Sequence, residues 1–196
     1  MLARPLDIAG AYEITPVAYP DERGSFLEWY RFDALEAVAG RSLELRQANL
    51  STSRRGVVRG VHFADISPGQ AKYVTVVSGA VTDLVVDIRV GSPTFGEVCA
   101  IELDDVDRRA VFIEEGLGHA FVARTEGAVV SYLVSNVYDP AREHGLTPLD
   151  PALALHRWFD PESAVLSEKD RSAPTLSKAA EQGLLPKFAD RPGKAV

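Results

Sequence analysis

The chain has 196 residues, 46% of them hydrophobic and 25% charged, with a net charge of −7; this balance describes one soluble globular domain and argues against general nucleic-acid binding. No stretch approaches the roughly 18 apolar residues of a membrane span, and the opening MLARPLDIAGAYEI holds no apolar run of signal-peptide length. The single cysteine, Cys99, cannot form an internal disulfide, which suits a reducing cytoplasm, the expected location.

In chain order, the first predicted element is a short helix over Asp33–Ala39, with Asp33 near its start and Gly40 as its stop. Runs rich in Val, Ile, Phe and Tyr then predict strands at Val57–Ala64, Lys72–Ser78, Ala80–Arg89, Glu97–Leu103, Arg109–Glu114, Ala120–Arg124 and Ala128–Ser135. Turn formers separate them at Ser67-Pro68-Gly69, Ser78-Gly79, Gly91-Ser92-Pro93 and Glu126-Gly127. A second helix is predicted over Thr175–Gln182, stopped by Gly183, and the polar tail Asp190–Val196 is expected to fray. Short strands at such spacing, without alternating helices, indicate a β-sandwich or barrel rather than a doubly wound α/β fold.

The run Val81–Arg89 carries more information than its neighbours. Period two puts Leu84, Val86 and Ile88 on one face, and Asp83, Asp87 and Arg89 with Val81 and Val85 on the other. That second face reads either as solvated or as the polar lining of a cavity.

Four histidines are present, at 62, 119, 144 and 156, and none forms the His-x-His pair of metal-binding barrels. A metal needs several converging ligands, and no local set of them is visible. There is no Gly-x-Ser-x-Gly nucleophile elbow and no Gly-rich phosphate loop. What remains is a scatter of polar groups on strands: Arg59, His62, Lys72, Asp83, His119 and Tyr132. Each has an ordinary alternative, such as a satisfied core histidine at 62, a solvated edge lysine at 72 or a packed aromatic at 132. Residue types alone stop there.

Ordered motifs go further. Asp21-Glu22-Arg23-Gly24-Ser25-Phe26, Gln47-Ala48-Asn49-Leu50-Ser51, Arg59-Gly60-Val61-His62-Phe63 and Gln70-Ala71-Lys72-Tyr73-Val74 are followed by Asp87-Ile88-Arg89-Val90-Gly91-Ser92-Pro93-Thr94-Phe95-Gly96. Gly118-His119-Ala120-Phe121, Tyr138-Asp139-Pro140 with Glu143, and Ser167-Glu168-Lys169-Asp170 complete the series. In order and wording these resemble the dTDP-4-dehydrorhamnose 3,5-epimerases over about residues 6 to 186. Ala64 and Asp65 stand where many members carry Gln, and Gly118-His119-Ala120-Phe121 departs from the common A-H-G-F. Both departures resemble branches that make antibiotic deoxysugars.

The resemblance implies an all-β, cupin-like jelly roll with a few short helices, forming a single epimerase domain. It also implies a homodimer whose N-terminal segment contributes to the partner's site, and a dTDP-linked 4-keto-6-deoxyhexose substrate with no metal or organic cofactor. The implied reaction inverts C5, C3 or both, by proton abstraction next to the ketone and reprotonation from the opposite face. By the same matching His62 is the base, Asp170 its carboxylate partner, Lys72 the cation at the enolate oxygen and Tyr132 the acid. Arg23, Phe26, Glu28, Gln47 and Asn49 are implied as nucleotide contacts, Arg59 with Lys72 as diphosphate contacts and His119 as a neighbour of the sugar or phosphate. Tyr138 is implied near thymine, and Glu143 as a further substrate contact. A regular strand, however, would put Arg59 and His62 on opposite faces, so a bulge or twist at Gly60 is needed to bring both to one site. The alternatives are a mono-epimerase acting at C3 only and a non-catalytic sugar-binding jelly roll.

Overall fold

The computed structural model describes residues 1–65 and 69–188. The turn expected at Ser67-Pro68 and the tail from 190 onward lie outside the described residues.

Strands β1 (Leu2–Pro5), β2 (Ala11–Thr15), β3 (Ala18–Asp21) and β4 (Gly24–Leu27) precede helix α1 (Phe32–Ala39). Then follow β5 (Gln47–Ser53), β6 (Val58–Ala64), β7 (Lys72–Ser78), β8 (Ala80–Asp87), β9 (Val98–Asp104), β10 (Ala110–Ile113), β11 (Leu117–Ala123), β12 (Ala128–Val134) and β13 (Glu143–Gly145). Helices α2 (Glu168–Ser172) and α3 (Leu176–Glu181) complete the described chain. A six-stranded sheet runs β1-β2-β10-β7-β12-β5 and a five-stranded sheet β13-β6-β11-β8-β9, while β3 and β4 form a separate hairpin.

Three apolar clusters show how the layers stack. Val74, Val76, Val111 and Val130 of the six-stranded sheet meet Val81, Val85, Leu117 and Phe121 of the five-stranded one, so this cluster fills the space between the sheets. Leu84, Val86 and Ile88 of β8 and its continuation pack instead against Leu146, Leu153, Leu155 and Leu176 from the C-terminal third. Leu35 of α1 and Leu43 cover Ile14, Tyr73 and Phe112 on the back of the six-stranded sheet. The architecture is a cupin-like jelly-roll sandwich. The central strands β8 and β11 of the five-stranded layer are therefore covered on both faces, which is why they are buried along nearly their whole length.

Since Asp83, Asp87 and Arg89 do not line the cavity described below, this corrects both readings of the second face of β8. Its polar face is not solvated: Asp83, Asp87 and Arg89 are all buried. Asp87 accepts hydrogen bonds from Arg89 Nε (2.8 Å) and Nη2 (2.7 Å), Ser92 Oγ (2.5 Å) and Thr94 Oγ1 (2.6 Å). Burial pushes the Asp87 carboxyl up, but these donors outweigh it and hold its pKa below the usual carboxylate value. The motif from Asp87 to Thr94 is thus a buried lock on a turn.

Candidate active site

A cavity of about 670 Å³ opens between the sheets. One wall comes from β5, β12 and β7, where Gln47, Val134 and Lys72 are successive cross-strand partners and Tyr132 stands opposite Asn49. The facing wall comes from β6 and β13, and Ser167, Lys169 and Asp170 close one side.

The difficulty at Gly60 is resolved by a bulge. His62 pairs with His119, whereas Arg59 pairs with Phe121, so three steps along β6 match two along β11. Gly60 takes φ +108°, and a Cβ there would sit 2.4 Å from the His119 carbonyl oxygen. Only glycine tolerates that conformation and approach. The extra residue changes the alternation, and both Arg59 and His62 line the cavity.

Asp170 reaches the site on α2, a five-residue helix that the sequence reading did not predict. Ser167 caps it, accepting from the Asp170 backbone N–H at 3.0 Å. His62 Nε2 and Asp170 Oδ1 are then 2.6 Å apart. Burial pushes the Asp170 carboxyl up, but the His62 hydrogen bond and charge, with the Ser167 hydroxyl, hold it below the usual carboxylate value.

Lys72 is buried, and burial lowers its ammonium pKa while the charges of Glu143 and Asp83 work against that. Gln70 Nε2 donates to Glu143 Oε1 at 3.4 Å. Arg59 is held from β5, donating through Nε to Ser53 Oγ (3.1 Å) and through Nη2 to the Thr52 carbonyl (3.3 Å). Gln47 Nε2 donates to Asn49 Oδ1 (2.6 Å), and the Tyr138 backbone N–H donates to Gln47 Oε1 (2.8 Å). Burial raises the Tyr132 pKa, Arg59 opposes the rise and Glu143 adds to it.

Of the thirteen residues to which the family resemblance gives a role, nine line this one cavity: Gln47, Asn49, Arg59, His62, Lys72, Tyr132, Tyr138, Glu143 and Asp170. His119 is buried one strand away from His62, its Nε2 2.7 Å from Asp83 Oδ2, and is not part of the lining. Arg23, Phe26 and Glu28 lie on or beside the β3–β4 hairpin, outside the cavity. Arg23 pairs with Asp21, Glu28 with Arg31, and Phe26 is 66% exposed. The cavity also brings in Gln70, His144 and Lys169, to which the sequence reading gave no role. Gln70 and Lys169 stood inside motifs that signalled them; His144 stood in none. Among the described residues no three His, Cys, Asp or Glu side chains converge as a metal cage.

An imidazole–carboxylate pair facing a phenol and an ammonium across one cavity is the equipment of proton-transfer chemistry, and the fold and site together define a jelly-roll isomerase. The profile of the dTDP-4-dehydrorhamnose 3,5-epimerase family matches residues 5–178. The dTDP-4-dehydrorhamnose 3-epimerase of Streptomyces niveus is 54% identical over 96% of this chain and 90% of its own length. The dTDP-4-dehydrorhamnose 3,5-epimerase of Mycolicibacterium smegmatis is 53% identical over 97% and 93%. Among solved structures, NovW, a 4-keto-6-deoxy sugar epimerase from the novobiocin cluster of Streptomyces spheroides, superposes with a TM-score of 0.92 at 54% identity, covering 96% of this chain and 94% of that one. The chain belongs to the dTDP-4-dehydrorhamnose 3,5-epimerase family and is an epimerase of deoxysugar biosynthesis.

Proposed function

We propose that this protein inverts C5, C3 or both in a dTDP-linked 4-keto-6-deoxyhexose, with His62 as base and Tyr132 as acid. The observation that carries the proposal is their placement on opposite sheets. His62 belongs to the five-stranded sheet and Tyr132 to the six-stranded sheet, and both line the same cavity. A sugar ring held between the sheets would present one face to each, which is what inversion at carbon requires.

The chemistry follows from the contacts. A carboxylate only accepts, so Asp170 fixes Nε2–H on His62 and leaves the lone pair on Nδ1. Nδ1 takes the proton from the carbon next to the ketone. Lys72 stabilises the enolate oxygen, where a desolvated cation acts most strongly. Tyr132 then delivers its hydroxyl proton to the opposite face of the carbon. One inversion leaves His62 protonated and Tyr132 ionised, and exchange with water restores both.

Gln47, Asn49, Tyr138 and Glu143 serve as nucleotide and sugar contacts, Arg59 and Lys72 as diphosphate contacts, and His119 as a neighbour of the sugar end. Arg23, Phe26 and Glu28 act across a homodimer, their exposed hairpin entering the partner's site. The exposed apolar side chains Tyr19 and Phe26 on that hairpin support this role. The protein works as a single domain over about residues 6 to 186, in the cytoplasm, without metal or organic cofactor.

A second reading, inversion at C3 alone, is favoured by the name of the Streptomyces niveus relative. Incubation with dTDP-4-keto-6-deoxyglucose in deuterated water, with the label located by NMR, separates the readings. Label at both carbons identifies the double epimerase and label at one carbon a mono-epimerase. Absence of enzyme-dependent label overturns the proposal in favour of a sugar-binding jelly roll.

A further inference from the structure

Gln70 lines the cavity and opens the motif Gln70-Ala71-Lys72-Tyr73-Val74, yet it takes no part in the proton transfer. It is buried and stands two residues before Lys72, on the segment that leads into β7. Its Nε2 donates to the Glu143 carboxylate and to the Asn136 carbonyl, each at 3.4 Å. A carboxylate and a carbonyl only accept, so the amide can meet both of them only with its NH2 end. Its two hydrogens are thereby committed, and its neighbours fix which way round it sits.

The other end of the amide, Oε1, accepts no hydrogen bond from the described residues. Amide oxygens in so buried a place are rarely left without a donor, and the open space beside Gln70 is the cavity itself. The missing donor is therefore to be sought on the ligand. Glu143 is near enough to Lys72 for its charge to act on the ammonium, so Gln70, Glu143 and Lys72 form one patch of the cavity wall. With Lys72 at the C4 oxygen, this patch meets what lies beside C4. Of the two flanking carbons, C3 carries a hydroxyl and C5 a methyl group, and only the hydroxyl can donate to an amide oxygen.

We propose that Gln70 is a specificity-determining residue whose Oε1 accepts the C3 hydroxyl of the hexose. The bond turns the C3 edge of the ring toward Gln70 and Glu143, and the C5 methyl group then lies on the far side of the C4 oxygen. Glu143 contributes by holding the amide the right way round. Gln70 itself neither gains nor loses a proton. The inference rests on the proposed substrate and on Lys72 at its C4 oxygen.

The test is a cycle of two enzymes and two substrates: wild type and Gln70→Met, each with dTDP-4-keto-6-deoxyglucose and with its 3-deoxy analogue. Exchange of solvent deuterium next to the ketone is read as kcat/KM. Gln70→Met should lose about tenfold more on the hydroxylated substrate than on the analogue, as removal of one hydrogen bond predicts. The intrinsic reactivity of each substrate cancels in this ratio. A second measurement needs only the wild type: dTDP-6-deoxyglucose, which has no ketone to be enolised, should inhibit about tenfold more tightly than its own 3-deoxy analogue. An equal fall on both substrates would mean that Gln70 acts through the fold of the wall, and overturns the assignment. Equal inhibition by the two ketone-free ligands overturns it as well, and either result leaves His62 and Tyr132 in their roles. Absence of exchange by the wild type with either substrate overturns the proposed reaction, and this inference with it.

Discussion

His62 and Asp170 are 108 residues apart in sequence and 2.6 Å apart in space, Nε2 to Oδ1. The pair is built from two local devices, a bulge at Gly60 that turns His62 into the cavity and a Ser167 cap that starts the helix carrying Asp170. Neither device is large, yet each sets the direction of one partner.

Asp170→Asn keeps the shape and removes the charge. The amide can present its nitrogen to the ring and favour the wrong tautomer, and the imidazolium formed on abstraction loses its counter-charge. We expect kcat to fall by about 10² to 10⁴ with little change in KM, measured by steady-state kinetics. The sign with pH follows from the depressed Asp170 pKa. Its stabilising contribution is complete above the unfolded value, near pH 4, and is lost as pH falls through the lower folded value. Acid titration of the melting temperature should show a shallower loss in Asp170→Asn.

Lys72→Met tests the buried cation. Burial lowers the ammonium pKa, so the charged form costs free energy that its acidic neighbours offset in part. Removing it should cost about 10²-fold in kcat/KM, as loss of a positioned charge in a dry site does, without a matching loss in melting temperature. In the wild type, activity that depends on charged Lys72 should decline with rising pH below the usual lysine value of about 10.4. An alkaline limb at or above that value would contradict this assignment.

Gly60→Ala should be among the most damaging single changes. The new Cβ would meet the His119 carbonyl at 2.4 Å and the Ala120 Cα at 2.7 Å, both backbone atoms, in a backbone conformation alien to alanine. Strain and overpacking together predict a loss of about 2–5 kcal/mol in urea unfolding. Gly127→Ala meets no atom within 4 Å, so it suffers only the backbone strain and should lose less.

Complementation tests the shared site. His62→Ala and Arg23→Ala, each impaired alone, should regain activity when unfolded together and refolded as mixed dimers, because one of the two sites then has both residues intact. Activity no greater than the sum of the separate variants would place Arg23 in its own chain's site or in none.

The strands from Val57 to Ser135 were legible to within a few residues, because β-branched runs broken by Gly, Ser and Pro carry a period-two signal that tertiary packing reinforces. The N-terminal strands were not. Leu2–Pro5 and Ala18–Asp21 each contain a proline and lie largely in solvent, and β5 turns Gln, Asn and Ser inward, the reverse of an apolar-in pattern. β5 entered the reading through its motif alone. The face of β8 was ambiguous for a different reason: Asp87 satisfies itself with Arg89, Ser92 and Thr94, and no period count distinguishes buried pairing from hydration. Asp170 was named by resemblance, since five helical residues are too few to signal a helix. What the sequence could not supply was distance, above all the 2.6 Å between a strand histidine and a carboxylate from the far end of the chain.

The most direct test of His62 as the base is solvent exchange by His62→Ala. Deuterium incorporation into dTDP-4-keto-6-deoxyglucose is followed by NMR, and dTDP binding by calorimetry on the same protein. Incorporation at whichever of C3 and C5 exchanges in the wild type should disappear while dTDP binds with nearly wild-type affinity. Incorporation at the wild-type rate would show that another group removes the proton.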